Sequence, residues 1–206
     1  MEFRFNGSMS SPEPVSLNSM GTLNYTATVS LDGYVADAGG NFQWSAPSGP
    51  VFAAHVDRMA EVSIEVLGRK TFELMQYWEI DPEDEEWASA EREFARRWRG
   101  IDKVVVSSTQ KPEEIESDRV RLVPVLSLAE LQRIVEDAAG VVEIFGPTTA
   151  APAIRAGMVD EFQFFLVPKV VGDGLPALPG GVHHDLILAG HRIFDDGTAH
   201  LRYLSR

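Results

Sequence analysis

The stretch VVEIFGPTTAAPAIRAGMVDEFQFFLVPKVVGDG, Val141 to Gly174, decides how the rest of the chain reads. An apolar run stops at Gly-Pro-Thr-Thr, restarts with helical spacing, and returns as a second apolar run. Short apolar runs bounded by turn residues mark buried strands, and a helix between two of them makes a βαβ unit in a parallel sheet. Two readings of the turn stay open. A strand that ends in glycine before a helix directs backbone N–H groups at a phosphate. The same turn also serves an ordinary βαβ connection.

Upstream, LNYTATVS (Leu23–Ser30) is rich in β-branched residues and ends at LDGYVADAGGN, so a strand followed by a mobile glycine-rich loop is expected. Pro50 to Ala60 has helical spacing with proline near its start, VSIEVLG is a short buried strand, and the next helix starts at RKTFELM. The acidic segment EIDPEDEEWASAEREFARRWRG runs from a solvated loop into an amphipathic helix. DKVVVSS and VRLVPV read as strands. SLAELQRIVEDAAG is a helix with Ser127 as N-cap, Glu130 three residues later and a closing glycine. DEFQFFLVPKVV reads as a long strand whose Phe162, Phe164 and Leu166 share a face, and DLILAGHRIFDDGTAHLRYLSR as a hairpin around Asp196-Gly197. The expected class is α/β: a mixed, mostly parallel central sheet flanked by helices, with a C-terminal antiparallel hairpin.

The bulk numbers suit one domain. With 206 residues, 44% of them hydrophobic, the chain can fill one core. Residues 1–21 lack the basic start and apolar centre of a signal peptide and read as a flexible tail, leaving 22–206 as the domain. A formal net charge of −13 argues against nucleic acid or an acidic membrane surface as partner. Without cysteine there is no disulfide, thiolate catalysis or cysteine-bound zinc. No apolar run approaches the ~20 residues that span a bilayer, so a soluble, cytoplasmic protein is expected. The adjacent His183 and His184 lack a further spaced ligand and read as a polar loop, with no metal expected.

In such sheets ligands gather at the carboxyl ends of the strands. Three endings carry suitable groups: Gly68-Arg69-Lys70-Thr71, Ser107-Ser108-Thr109 and Gly146-Pro147-Thr148-Thr149. This is a dinucleotide arrangement without the usual G-x-G-x-x-G. Arg69 and Lys70 beside Ser107 and Ser108 make a grip for a ribose 2′-phosphate, which favours NADPH over NADH. The competing readings are a solvated cation pair at a helix start and a plain strand-to-helix turn. Gly146-Pro147 is also a candidate for a cis peptide.

Taken together, VSLDGYVAD, the Trp44 of FQW, GRKTFE, VVVSS and FGPTTAAPAI followed by AGMVDEFQFFLVPKVVGDG resemble the dihydrofolate-reductase-like superfamily. Within it they are most similar to the RibD C-terminal reductase domain family of riboflavin biosynthesis, in order over Thr22 to Arg206. The resemblance implies NADPH lying across the strand ends. Ala27 and Thr28 would sit near the nicotinamide, with Trp44 and the LDGYVADAGGN loop over it. Gly68, Arg69, Lys70 and Thr71 would meet the adenosine-side phosphates, Ser107 and Ser108 the 2′-phosphate, and Gly146, Pro147, Thr148 and Thr149 the pyrophosphate. It also implies a homodimer paired through the sheet and C-terminal strands.

For the substrate the resemblance implies a small heterocycle, either the phosphoribosylaminouracil of riboflavin synthesis or a related imine. Arg58 corresponds to an arginine that binds the sugar phosphate, and Trp44 to a ligand wall. The family's glutamate before Gly-Pro-Thr falls on Ile144; Glu143 beside it belongs to the opposite strand face. A second arginine would fall in WEIDPEDEEW, which has none. PSGPVFAAH lacks the carboxylate that dihydrofolate reductases carry on their first helix, leaving His55 and Asp57 as the nearest polar groups. Asp32, on the loop over the nicotinamide, is the candidate proton source. Dihydrofolate or pterin reduction, and a non-catalytic NADPH-binding protein, are the alternatives.

Overall fold

The computed structural model describes residues 21–82, 86–111, 113, 115 and 117–206. The expected tail, Gly21 excepted, lies outside the described residues, as do residues 83–85 of the acidic segment.

The sheet grows from its central strand, β1 (Thr22–Ser30). It carries β6 (Val141–Phe145) on one side and β7 (Glu161–Val167) on the other, both parallel to it. Beyond β6 come β3 (Val62–Gly68), β4 (Asp102–Val106) and β5 (Val120–Val123), all parallel. Beyond β7, the hairpin strands β10 (Ala199–Ser205) and β9 (Leu186–Ile193) run antiparallel, with β9 at the edge. Six parallel strands, followed by a hairpin in which β10 runs against β7 and β9 against β10, match the mixed sheet expected from the alternation of strand and helix patterns.

Each face of the sheet has its own core. Leu23, Tyr25, Ala27, Val66, Val142 and Ile144 point one way, under α4 (Leu128–Asp137) and α5 (Pro147–Arg155). Phe162 and Phe164 join that face and set their rings edge-on to Tyr25, so this stripe is core. The opposite face lies under α1 (Gly49–Arg58) and α3 (Ser89–Gly100), where Leu67 and Val105 meet Val56, Phe94 and Trp98. Each such side chain contributes roughly 1.5–3 kcal/mol on burial. Ser127 caps α4 as expected, its hydroxyl accepting the Glu130 N–H at 3.2 Å.

Three local expectations are corrected. The glycine-rich loop contains a strand, β2 (Tyr34–Asp37), which pairs with β8 (Gly174–Pro176); its partner lies far along the chain and leaves no local signature. β7 stops at Val167, before Pro168, because proline has no N–H for the ladder. No cis peptide occurs among the described residues, so Gly146-Pro147 is trans. The remaining short helix, α2 (Arg69–Met75), follows β3 directly.

Candidate active site

The carboxyl ends of four neighbouring parallel strands form a ledge. Register pairs Gly68 with Val106, Leu67 with Phe145, and Phe145 with Thr26, so Ala27, Gly146, Gly68 and Ser107 follow one another across the sheet. The two glycines interlock with the turns opposite them. A Cβ on Gly68 would lie 2.9 Å from Thr149 Oγ1, and one on Gly146 would lie 3.2 Å from Thr71 Oγ1. Gly146 also has φ +106°, a conformation L side chains rarely adopt. The turn residues of β3 and β6 are thereby drawn into one surface of backbone and hydroxyls, with α5 opening from it.

Around this ledge stand the other residues expected to meet the cofactor. Arg69 Nη1 is 2.6 Å from Glu73 Oε1, one helical turn on, and the side chains are 40% and 47% exposed. Lys70 and Ser108 are exposed. The Ser107 hydroxyl accepts N–H groups from Thr109 at 3.2 Å and Gln110 at 2.9 Å, which shapes the turn after β4. The residues present fit a dinucleotide phosphate chain: a glycine at the N-cap of α5, three threonine hydroxyls, and two cations at the rim.

Next to the ledge, on the α1 side of the sheet, a cavity of about 280 Å³ opens beside Thr28 and Phe145. Phe52, Trp78, Phe94 and Trp98 form an aromatic wall, with Phe52 and Trp78 stacked at 5.8 Å between centroids and Trp78 and Phe94 at 4.8 Å. A smaller recess continues past Thr28 and the Ser45–Pro47 segment toward Pro168 and Asp196. The shape suits a flat ring held against the end of β1.

The floor of this cavity is charged. Glu65 and Glu143 are register partners on β3 and β6, and both are buried. Glu143 accepts from the Thr26 hydroxyl at 2.5 Å and is ion-paired with Arg58, in the last turn of α1. His55, one turn earlier on α1, lies against Phe165 with ring centroids 4.0 Å apart and the planes tilted by 32°. Burial, reinforced by the Arg58 and His200 charges, holds its imidazole neutral, down to about 3. Burial pushes the Glu65 carboxyl up to about 7 against the opposing pull of Arg58 and Lys103.

The other sequence-derived residues sit elsewhere. Asp32 lies in the turn after β1, where its carboxylate accepts the N–H groups of Val171 at 3.2 Å and Gly172 at 2.7 Å, and it is not on the cavity wall. Trp44 donates its indole N–H to Asn41 O at 2.9 Å; its neighbours Phe42, Gln43 and Ser45 line the cavity while Trp44 does not. Arg58 does line the cavity, but its guanidinium already faces Glu143. Glu65 escaped the sequence reading altogether. Its signal was there: VSIEVL and VVEIF are apolar strands that each carry a lone glutamate.

A mostly parallel sheet closed by an antiparallel hairpin is the dihydrofolate-reductase-like fold. The model of the RibD C-terminal domain matches residues 21–199, and the chain belongs to that family. Among solved structures it is similar to a Shewanella sp. PV-4 protein described as a riboflavin biosynthesis protein. The TM-score is 0.69 at 22% identity, covering 90% of this chain and 99% of the other. Dihydrofolate reductase from Enterococcus faecalis, solved with NADP(H), aligns at TM-score 0.58 and 15% identity, covering 91% and 98%. A Thermotoga maritima diaminohydroxyphosphoribosylaminopyrimidine deaminase/5-amino-6-(5-phosphoribosylamino)uracil reductase aligns at TM-score 0.61 and 16% identity. There the match covers 91% of this chain and 57% of the other. No curated protein matches.

Proposed function

We propose that this chain is an NADPH-dependent reductase of the RibD C-terminal type, acting on the C=N bond of a small heterocyclic imine. One observation carries the reading: the interlocked glycine turns at Gly68 and Gly146 leave a ledge of backbone and threonine hydroxyls directly beside a ring-sized aromatic cavity. The family's membership of reductases supports the same class.

The bound cofactor supplies hydride. This chain's own residues orient and exclude water. The ledge and the α5 N-terminus would hold the phosphates, Arg69, Lys70, Ser107 and Ser108 the 2′-phosphate, and Ala27 and Thr28 the cofactor's reactive end at the cavity mouth. The aromatic wall fixes the plane of the substrate, and orientation of this kind supplies much of the acceleration of a hydride transfer. Because Arg58 is already neutralised by Glu143, a substrate phosphate there would meet an ion pair, so the proposed substrate is defined by its ring.

The test is a fluorescence titration of the purified protein with NADPH and NADH in parallel at low salt. Binding of NADPH at least about tenfold tighter than NADH is expected from the 2′-phosphate grip. Absence of binding by either nucleotide overturns the reading. A homodimer belongs to the same proposal: β9 is a sheet edge, and Ile187, Leu188 and Ile193 on it are exposed. Among the described residues no helix is long and apolar enough to cross a membrane.

A further inference from the structure

A second cleft opens outside the aromatic cavity, where α1 faces the C-terminal hairpin. Its volume is about 240 Å³, and its two walls carry opposite charge. Asp57 in α1 and Glu61 just after it form the acidic wall. Arg192 and His200 are register partners on β9 and β10, and Arg202 shares a strand face with His200, so the hairpin supplies the basic wall. The Arg192 guanidinium lies over the Phe194 ring at 4.5 Å, a contact that steadies it without using its N–H donors. Arg202 gives two of its donors to Glu161, at 2.6 and 3.0 Å. Among the described residues no ion pair crosses the cleft from Asp57 or Glu61 to either arginine.

The floor is built from buried polar groups. Gln163, 5% exposed, pairs with His200 at 3.1 Å. Arg58, its side chain 10% exposed, lines this cleft as well as the cavity, and its Nε is buried without a hydrogen-bond partner. Burial, reinforced by the charges of Arg202, Arg58 and Arg192 against the opposing pull of Glu161, holds the His200 imidazole down to about 4. Three guanidinium groups therefore act on one point of the cleft. A buried donor without a partner costs free energy until something accepts from it. A plain anion would gain the arginines but face Asp57 and Glu61, and a plain cation would meet the reverse. A molecule with both charges a few bonds apart satisfies both walls.

We propose that this cleft is a second binding site, for a small zwitterion of the α-amino-acid class, its carboxylate set against Arg192 and Arg202 and its ammonium against Asp57 and Glu61. Guanidinium groups hold a carboxylate through paired N–H donors, and an ammonium brings three donors to the carboxylates opposite. The cleft falls below the roughly 300–1,000 Å³ of ordinary small-molecule pockets, which limits the occupant to a small molecule. The site lies across Arg58 from the aromatic cavity and does not rest on the reductase reading.

The probe is L-alanine, followed by saturation-transfer NMR on the full chain at neutral pH and low salt. Propionate is the same molecule without the ammonium, and ethylamine the same molecule without the carboxylate. The parent is expected to bind L-alanine, and to bind propionate and ethylamine each at least about tenfold more weakly, because each lacks one charge-assisted contact. Arg192→Gln and Glu61→Gln change exposed side chains on opposite walls, and each should weaken L-alanine binding about tenfold. No transfer to L-alanine in the parent overturns the proposal. Propionate binding as tightly as L-alanine overturns it too, since the cleft would then be a plain anion site. Neither result depends on a variant folding. L-alanine binding that survives both substitutions would put the ligand elsewhere on the protein and would also sink the assignment. NADPH titration judges the reductase reading separately, and its outcome leaves the L-alanine result standing.

Discussion

Thr149 occupies the space where a side chain at residue 68 would begin: a Cβ on Gly68 would fall 2.9 Å from its Oγ1. That contact holds the β3–α2 turn against the β6–α5 turn and so fixes the ledge. Gly68→Ala is expected to cost roughly 1–2 kcal/mol by overpacking, read from urea unfolding. It should also weaken NADPH binding, because the turns must part to admit the methyl. Removing the obstruction with Thr149→Ala in the same chain should recover part of the stability. Strict additivity of the two changes would mean that the turns are not in contact.

Arg69 is held by Glu73 at 2.6 Å, but at an exposed position such a pair is worth at most about 1 kcal/mol. The guanidinium is therefore available to an anion. Arg69→Ala should lower NADPH affinity about tenfold and leave NADH affinity unchanged, whereas Glu73→Gln should raise NADPH affinity. Equal losses for both nucleotides would remove Arg69 from the 2′-phosphate grip.

The Arg58–Glu143 pair is buried at both ends, with side-chain exposures of 10% and 0%. Removing one partner strands a charge. Arg58→Met or Glu143→Leu alone should each destabilise by about 3–5 kcal/mol, and the double substitution should recover much of the loss. Denaturation midpoints of the four proteins test this, and an additive double mutant would refute the coupling.

Glu65 makes a prediction about pH and stability. Its folded-state value of about 7 lies above the ordinary 4.5. Between these, the folded protein keeps a proton that the unfolded chain releases, so stability contributed by Glu65 is intact below pH 4.5 and declines as pH rises toward 7. His55 works in the opposite sense: held down to about 3, it lowers stability as pH falls below 6.5, when the unfolded chain takes up a proton. His200, held down by burial to about 4, acts in the same sense as His55, so the parent's own profile mixes all three. The difference between parent and Glu65→Gln isolates the carboxyl, and it should shift in favour of the variant, by on the order of 3 kcal/mol, as pH rises through that window. A flat difference would show that Glu65 ionises normally.

β9 bears on assembly. Its exposed Ile187, Leu188 and Ile193 lie on an edge strand, a position that pairs readily with a second chain. Sedimentation of the parent should give a dimer, and Ile187→Lys with Leu188→Lys should give a monomer. A monomeric parent would exclude the pairing.

Most of the architecture was legible because it is written in local periodicity. Val141–Phe145 and Glu161–Val167 are apolar runs of strand length, and the segment between them closes with helical spacing, so a βαβ unit follows without knowledge of the rest. Ser127 announced its cap in the same local way. β2 was not legible, since its partner β8 lies more than a hundred residues away in the chain and Tyr34–Asp37 has no alternation of its own.

The site divides along the same line. By itself the sequence determined which residues end each strand, Gly68, Ser107 and Gly146 among them, and that Glu143 and Ile144 face opposite sides of the sheet; chain connectivity and the two-residue period of a strand suffice for that. Only the tertiary structure decided that Arg58 lies across from Glu143, that Glu65 stands beside Glu143 within reach of the Arg58 and Lys103 charges, and that Asp32 is bound to the Val171–Gly172 backbone. These are questions of which helix covers which face and which charges share a buried layer. Strand register and helix packing settle them by long-range contact, which local periodicity does not encode.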